Sequence, residues 1–296
     1  MTEHPDYEDQ ADDAQASERV DKLIASASYR QADEDRAFLM RPEMCGVRLQ
    51  LDFWKTEESL LRHGIEHTVV VYGSTRLVEP RAARQRLELA QRSLAEAPSD
   101  VGRARAVDAA KRLLDKSRFY SIARRFGRLV GSRRATALLP KLAVVTGGGP
   151  GIMEAANRGA FESGAPSIGL NISLPNEQRP NPYISPDLCF RLHYFAIRKM
   201  HLLERAKAAV FFPGGYGTCD ELFEVLTLLQ TGKITPLPVV LVGERYWRRA
   251  IDFDFLVDEG TIAKHDLDWF AFAESADEIW ESISRWHCAR HCLDEV

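Results

Sequence analysis

Short apolar segments alternate with longer amphipathic segments along most of the chain. The apolar segments are rich in β-branched and aromatic residues and show no clean polar alternation; they cover residues 68–72, 142–146, 167–172, 208–212 and 238–242, with a weaker candidate at 188–193. Strands buried on both faces of a parallel sheet have this pattern. We therefore predict an α/β fold, a Rossmann-like doubly wound parallel sheet of six or seven strands with helices on both faces.

The amphipathic segments predict helices. One covers residues 49–64, and three more lie between the first two strands, at about 80–95, 101–116 and 120–131. Their many Arg, Lys and Glu residues are typical of solvent-facing helices.

The first 40 residues have a different composition. They are rich in Asp, Glu, Gln, Ser and Ala, which predicts a disordered acidic lead with a loose helix after Ala14. Residues 41–296 are predicted to form a single Rossmann-like domain. The N-terminus lacks the apolar region of a signal peptide, and no apolar run reaches the roughly 18 residues of a membrane span, so we expect a cytoplasmic protein that does not bind membranes.

The overall charge gives no general attraction to polyanions. The formal net charge is −4, which argues against nucleic acid as a partner. A small anionic ligand therefore needs a local positive site.

Three of the predicted strands end in loops with ligand-binding character: residues 72–76 (YGSTR), 146–155 (TGGGPGIMEA) and 212–222 (FPGGYGTCDEL). Ligands of open parallel sheets bind beyond the carboxyl ends of the strands. In the last two loops, glycines let the backbone approach a ligand closely, and each loop leads into a helix whose first amides lack internal partners. Such loops bind phosphate. From them we take Ser74, Gly148, Gly149 and Gly214 as candidate ligand contacts.

These loops do not match the common nucleotide fingerprints. The third glycine of G-x-G-x-x-G falls on Ile152, and Gly232-Lys233 is followed by Ile234 rather than Ser or Thr. We therefore expect neither a dinucleotide nor a triphosphate with Mg²⁺. The alternative is that the glycines only make tight turns between strand and helix.

Several motifs together resemble one known family. Residues 213–221 read PGGYGTCDE and follow an Arg-Lys pair at 198–199. This resembles the pattern of the LOG family, the cytokinin riboside 5′-monophosphate phosphoribohydrolases, often mislabelled as lysine decarboxylases. Residues 149–160 and 174–183 resemble its longer bacterial branch. The resemblance covers roughly residues 67–242, with the motifs in the family's order.

The resemblance implies a reaction and a set of residues. The reaction is hydrolysis of a nucleoside 5′-monophosphate, of the AMP or cytokinin type, to free base and ribose 5-phosphate, without a metal or another cofactor, in a homodimer or larger homo-oligomer. Arg198 and Glu221 are the implied catalytic pair. The implied substrate contacts are Glu177, Lys199, Gly215, Gly217, Thr218 and Thr227. The acidic lead and a helical insertion at about 80–118 depart from the family and leave substrate range and oligomer open.

Several interpretations of these residues stay open at the level of sequence. Glu221 could stabilise a ribosyl cation or activate water, whereas Thr218 and Glu221 also have the spacing of a helix capping box. Arg198 could keep Glu221 ionised, bind phosphate or polarise the departing base. The chain could instead be a non-catalytic nucleotide sensor or carrier. A lysine decarboxylase would need pyridoxal phosphate on a lysine, and the sequence identifies no such site.

Overall fold

The computed structural model describes residues 16–136, 139–173 and 179–294, with the side chains of 292–294 excepted. Contacts divide the chain into two compact units, Met1–Leu51 and Asp52–Val296. The described part of the first unit contains helices α1 (Ala16–Ile24) and α2 (Arg36–Leu39) and the start of α3 (Cys45–Arg62). Helix α1 matches the loose helix predicted after Ala14. Disorder of the acidic lead stays a prediction, and residues 1–15 of that lead lie outside the described residues.

The second unit contains a seven-stranded sheet in which all strands are parallel, with the order β4-β3-β2-β1-β5-β6-β7. The strands are β1 (Thr68–Tyr72), β2 (Ala143–Thr146), β3 (Ser167–Ile172), β4 (Cys189–Leu192), β5 (Ala206–Phe211), β6 (Val239–Val242) and β7 (Phe270–Ala273). The predicted doubly wound α/β fold is confirmed. Six of the strands were predicted, and β7 was missed.

Helices follow most strands. They are α4 (Pro80–Glu96), α5 (Val101–Lys116), α6 (Arg118–Ser132), α7 (Ile152–Glu162), α8 (Phe195–Glu204), α9 (Tyr216–Gln230), α10 (Glu244–Ala250), α11 (Phe253–Asp258) and α12 (Ala276–Asp294). The three helices predicted between β1 and β2 are present as α4, α5 and α6. Among the described residues, no helix has the length and apolar character needed to cross a membrane.

The core on one face of the sheet is built by α6, α7 and α12. Helix α6 buries an apolar face that includes Phe126, although its sequence suggested a mainly solvated helix. Its close approach to α7 depends on glycine: a Cβ at Gly127 would lie 2.1 Å from the carbonyl oxygen of Ala156, and one at Gly159 would lie 2.0 Å from that of Arg124. The two helices therefore pack backbone to backbone.

The strand order places a crevice at the centre of the sheet. Strand β1 lies between β2 and β5, and successive strands run outward from it in opposite directions. This reversal is the switch point at which ligands bind in open α/β sheets. Strands β1, β2 and β5 all end at this edge of the sheet. The three loops singled out in the sequence begin there and therefore lie close together.

Candidate active site

A cavity of about 730 Å³ opens at the carboxyl ends of β1, β2 and β5. The loop after β1, with Ser74, and the loop after β5 form two of its walls, and Gly147 lies at the end of β2. Arg198 and Glu221 also line it. The implied catalytic pair and the two flanking loops thus share one cavity of a size common for small-molecule sites.

Arg198 and Glu221 form an ion pair inside this cavity. The Nη2 atom of Arg198 donates to Oε1 of Glu221 at 3.2 Å, and the two side chains are only 14% and 13% exposed. The guanidinium also lies 4.9 Å from the centre of the Phe195 ring, within cation–π range. The buried Nε of Arg198 has no hydrogen-bond partner among the described residues.

The environment of Glu221 changes its protonation. Burial raises the pKa of this carboxyl to about 7, against the opposing effect of the positive charges of Arg198 and Lys199. The carboxyl therefore gains and loses a proton near neutral pH. A strongly shifted pKa next to a specific charge partner in a cleft is a common feature of catalytic groups.

The capping-box interpretation of Glu221 is wrong. Helix α9 begins at Tyr216 with Gly215 as its N-cap, so Thr218 lies inside the first turn instead of before it. Glu221 bonds to Arg198 instead of reaching back along its own helix. The Pro-Gly-Gly sequence starts the helix earlier than the Thr-x-x-Glu spacing suggests, and this turns Glu221 toward α8.

The glycines at the start of α9 differ in their surroundings: Gly214 is tightly packed, whereas Gly215 and Gly217 face open space. A Cβ at Gly214 would lie 2.0 Å from Oγ1 of Thr218, whereas a Cβ at Gly215 or Gly217 would meet nothing within 4 Å. All four residues line the cavity. The first amides of a helix have no acceptor within it, so the open side of this turn is suited to an anion.

The loop after β2 makes a different contribution from the one predicted. Gly148 and Gly149 are buried, and their carbonyl oxygens accept hydrogen bonds from the backbone and side chain of Asn181 at 2.9 and 3.1 Å. A Cβ at Gly148 would lie 2.3 Å from Nδ2 of Asn171. Neither glycine is among the residues that line the cavity; Gly147 is. Gly148 and Gly149 were predicted to contact the ligand, but in the structure they pack against Asn171 and Asn181.

Two further predicted contacts lie outside the cavity lining. Lys199 pairs with Asp220 at 2.9 Å and Glu224 at 3.1 Å. Burial lowers its pKa, but the bonds to these two carboxylates outweigh burial and raise it overall. Thr227 lies farther along α9, beyond Glu221. Glu177 falls outside the described residues.

The cavity also contains side chains that the sequence did not single out. They are Arg76, Lys116, Asn171, Phe195 and Tyr246. The hydroxyl of Tyr246 donates to the carbonyl of Gly214, and the Nζ of Lys116 lies 5.9 Å from the Tyr246 ring. Lys116 belongs to a helix that we expected to face solvent, and its position depends on how α5 packs. Tyr246 lies shortly after the carboxyl end of β6, and this position in the sequence could have identified it as a candidate site residue.

The chain thus has a Rossmann-like fold, with a glycine turn and a buried arginine–carboxylate pair in a cavity at its switch point. Residues 153–283 match a family model described as "Possible lysine decarboxylase".

The chain is similar to two groups of enzymes that act on nucleoside 5′-monophosphates. The chain is 32% identical over 155 residues to the pyrimidine/purine nucleotide 5′-monophosphate nucleosidase of Escherichia coli strain K12, covering 47% of this chain and 30% of the relative. It is 31% identical over 144 residues to the cytokinin riboside 5′-monophosphate phosphoribohydrolase LOG1 of Arabidopsis thaliana, covering 47% of this chain and 66% of the relative. These matches confirm the resemblance to the LOG family. The matched region spans under a third of the bacterial relative's length.

Solved structures align only loosely. The alignment with a structural-genomics X-ray structure of TM1055 includes 74% of this chain and 99% of the other chain, with a TM-score of 0.44 and 19% identity. A molybdenum cofactor binding protein from Rippkaea orientalis covers 56% and 86% at a TM-score of 0.37 and 21% identity.

Proposed function

We propose that this chain hydrolyses the N-glycosidic bond of a nucleoside 5′-monophosphate and releases free base and ribose 5-phosphate. The observation that carries the proposal is the buried Arg198–Glu221 pair in a cavity bounded by a glycine turn. The names of the bacterial and plant relatives describe enzymes that act on nucleoside 5′-monophosphates, which supports the same class of reaction here.

The 5′-phosphate is proposed to bind at the start of α9. The open space beside Gly215 and Gly217 and the free amides of the first helical turn favour an anion there. Ser74 and Arg76, on the loop after β1 that hydrogen-bonds to Pro213 beside this turn, supply a hydroxyl and a positive charge. Binding a remote phosphate orients the ribose, so that this binding energy contributes to the reaction at C1′.

Glu221 is proposed to act at C1′ of the ribose. As the C1′–N bond breaks, its electron pair leaves with the base and the ribose gains positive charge. The carboxylate stabilises that charge and accepts a proton from the water whose oxygen bonds to C1′. The departing base takes up a proton from solvent, and Glu221 then returns its proton to solvent, so that one water is consumed in all. A pKa of about 7 suits Glu221 to accept a proton and release it again near neutral pH. Arg198 favours the ionised form of the carboxyl.

Assembly into a homodimer or larger homo-oligomer is part of the proposal. Apolar side chains on α8 and α9 are 41% to 97% exposed: Phe195, Met200, Tyr216 and Phe223. Lys199 on α8 bonds to two carboxylates of α9, so the two helices are neighbours. Exposed apolar residues on adjacent helices favour contact with another protein surface. Sedimentation of the purified protein tests this, and a monomer at all concentrations would contradict it.

We also propose an order in which substrates should be tested, together with a cellular compartment and a metabolic role. AMP is the first substrate to test, followed by cytokinin riboside monophosphates, GMP and pyrimidine monophosphates. A cytoplasmic location and a role in cytokinin production stay predictions. The test is release of ribose 5-phosphate from this panel by the purified protein. Release from at least one monophosphate supports the enzyme.

The alternatives give different results in the same experiments. A sensor or carrier would bind the monophosphates without releasing ribose 5-phosphate. A pyridoxal phosphate enzyme would show the cofactor's absorbance in the purified protein, and its lysine would be needed for that signal.

A further inference from the structure

A second cavity, of about 870 Å³, lies beside the candidate active site. It is lined by the loop after β1, by α4 and α5 and by the turn that starts α7. It shares residues 74–77 and Lys116 with the first cavity, so the two spaces adjoin along one wall. Five further residues of its wall, Ala82, Arg86, Ala109, Arg112 and Leu113, come from α4 and α5, the helical insertion to which the proposed function assigns no role.

Positive side chains line this second cavity. They are Arg76, Arg86, Arg112 and Lys116. In the described parts of the chain, none of the three arginines forms an ion pair, and the one contact of the Lys116 ammonium is with the Tyr246 ring. Surface arginines are common, but three unpaired ones and a lysine around one concave space leave its positive charge uncompensated.

The acidic residues of the cavity are already engaged. Glu79 pairs with Arg124 at 3.3 Å and Arg158 at 3.2 Å. Glu154 accepts a hydrogen bond from the hydroxyl of Tyr120 at 2.8 Å. Neither carboxylate neutralises the four cations, so a ligand that does so must bring several negative charges. One phosphate brings about two, and two phosphates bring about three to four.

We propose that this cavity is a second binding site, for a small molecule that carries two or more phosphate groups. Arg86 and Arg112 hold the phosphates from the two insertion helices, and Arg76 and Lys116 hold them from the wall shared with the first cavity. Planar guanidinium groups suit bidentate contacts with phosphate oxygens. The ligand is either a nucleotide whose additional phosphates extend out of the first cavity or a separate molecule.

Inorganic pyrophosphate is the probe for this site. Calorimetric titration compares the wild-type chain with the double variant Arg86→Gln/Arg112→Gln and with the control Arg84→Gln/Arg105→Gln. The control removes two exposed arginines from the same two helices that do not line the cavity. We expect wild type and control to bind equally and the cavity variant to bind about tenfold more weakly or worse. Binding should weaken with added salt.

Equal affinity in all three proteins, or no binding to any of them, would overturn the proposal. The titration measures no hydrolysis, so its result is independent of whether the chain is a hydrolase. Repeating it on Glu221→Gln with saturating AMP distinguishes the two ligand sources. A lower pyrophosphate affinity with AMP bound indicates a site that an extended nucleotide shares, and an unchanged affinity indicates a separate ligand.

Discussion

The guanidinium of Arg198 lies 3.2 Å from the carboxylate of Glu221, with both side chains largely withdrawn from water. Two opposing effects meet at this contact. Burial raises the pKa of Glu221 to about 7, and the adjacent positive charge lowers it. Without Arg198, the carboxyl would keep its proton to a higher pH.

The effects of burial and of Arg198 on the pKa of Glu221 predict how the reaction depends on pH. If the ionised carboxylate acts on the ribose, kcat of the wild type should rise with pH through about 7. In Arg198→Gln, loss of the positive charge should move the midpoint to higher pH and reduce kcat at neutral pH by about 10²-fold or more. Rates measured between pH 5 and 9 test both effects.

Lys199→Gln provides a graded comparison. Lys199 also lowers the pKa of Glu221, but by less than Arg198 does. The pH midpoint of kcat in Lys199→Gln should therefore fall between the midpoints of the wild type and Arg198→Gln. Three coincident midpoints would show that the titrating group is not Glu221.

Two neighbouring glycines should respond differently to a methyl group. Gly217→Ala adds a Cβ that meets no protein atom within 4 Å, on a helix, so the free energy of unfolding should be unchanged or slightly higher. If the phosphate binds at this turn, the methyl group should weaken AMP binding by about tenfold. Gly214→Ala places a Cβ 2.0 Å from Oγ1 of Thr218 and should destabilise the fold by about 1–3 kcal/mol.

Denaturant unfolding and calorimetric AMP titration separate the two effects. Binding is best measured on the Glu221→Gln background, so that the ligand is not consumed. Normal AMP affinity in Gly217→Ala would place the phosphate elsewhere in the cavity.

An ion network between α6 and α7 predicts how stability depends on pH. The guanidiniums of Arg124, Arg128 and Arg158 bond to Glu162 and lower the pKa of its carboxyl to about 2. Because this folded value lies below the unfolded one, the contribution is complete above about pH 4.5 and is lost as pH falls toward 2.

Glu162→Gln should remove that contribution. The side chain is 24% exposed, so after allowance for solvent screening we expect a loss of about 1–2 kcal/mol in the free energy of unfolding at pH 7. The difference from wild type should shrink between pH 4.5 and 2. Glu88→Gln, an exposed position on α4, serves as the control. A difference that stays constant with pH would contradict the assigned cause.

The sequence predicted the fold well where hydrophobicity was continuous. Strands β1 and β3 match the predicted ranges at both ends, because each is a fully buried run between polar turns. Strand β7 was missed because it has four residues and is only partly buried. Periodicity cannot separate such a segment from a loop.

The site was predicted less completely, because it depends on contacts distant in sequence. Gly148 and Gly149 have the same local pattern as Gly215, and only the contacts of Asn181, more than 30 residues away, show that they are held inside the fold. Lys116 reaches the cavity because of how α5 packs, which its charged sequence does not reveal.

Comparison of three proteins tests most directly whether Glu221 does the chemistry. AMP is mixed with excess enzyme, and ribose 5-phosphate is measured for wild type, Glu221→Gln and Glu224→Gln. Glu224 is a matched control, since it lies on the same helix, pairs with Lys199 and does not line the cavity. We predict release by wild type and Glu224→Gln, and a rate lower by about 10²–10⁴-fold in folded Glu221→Gln. Equal release by all three proteins would contradict it.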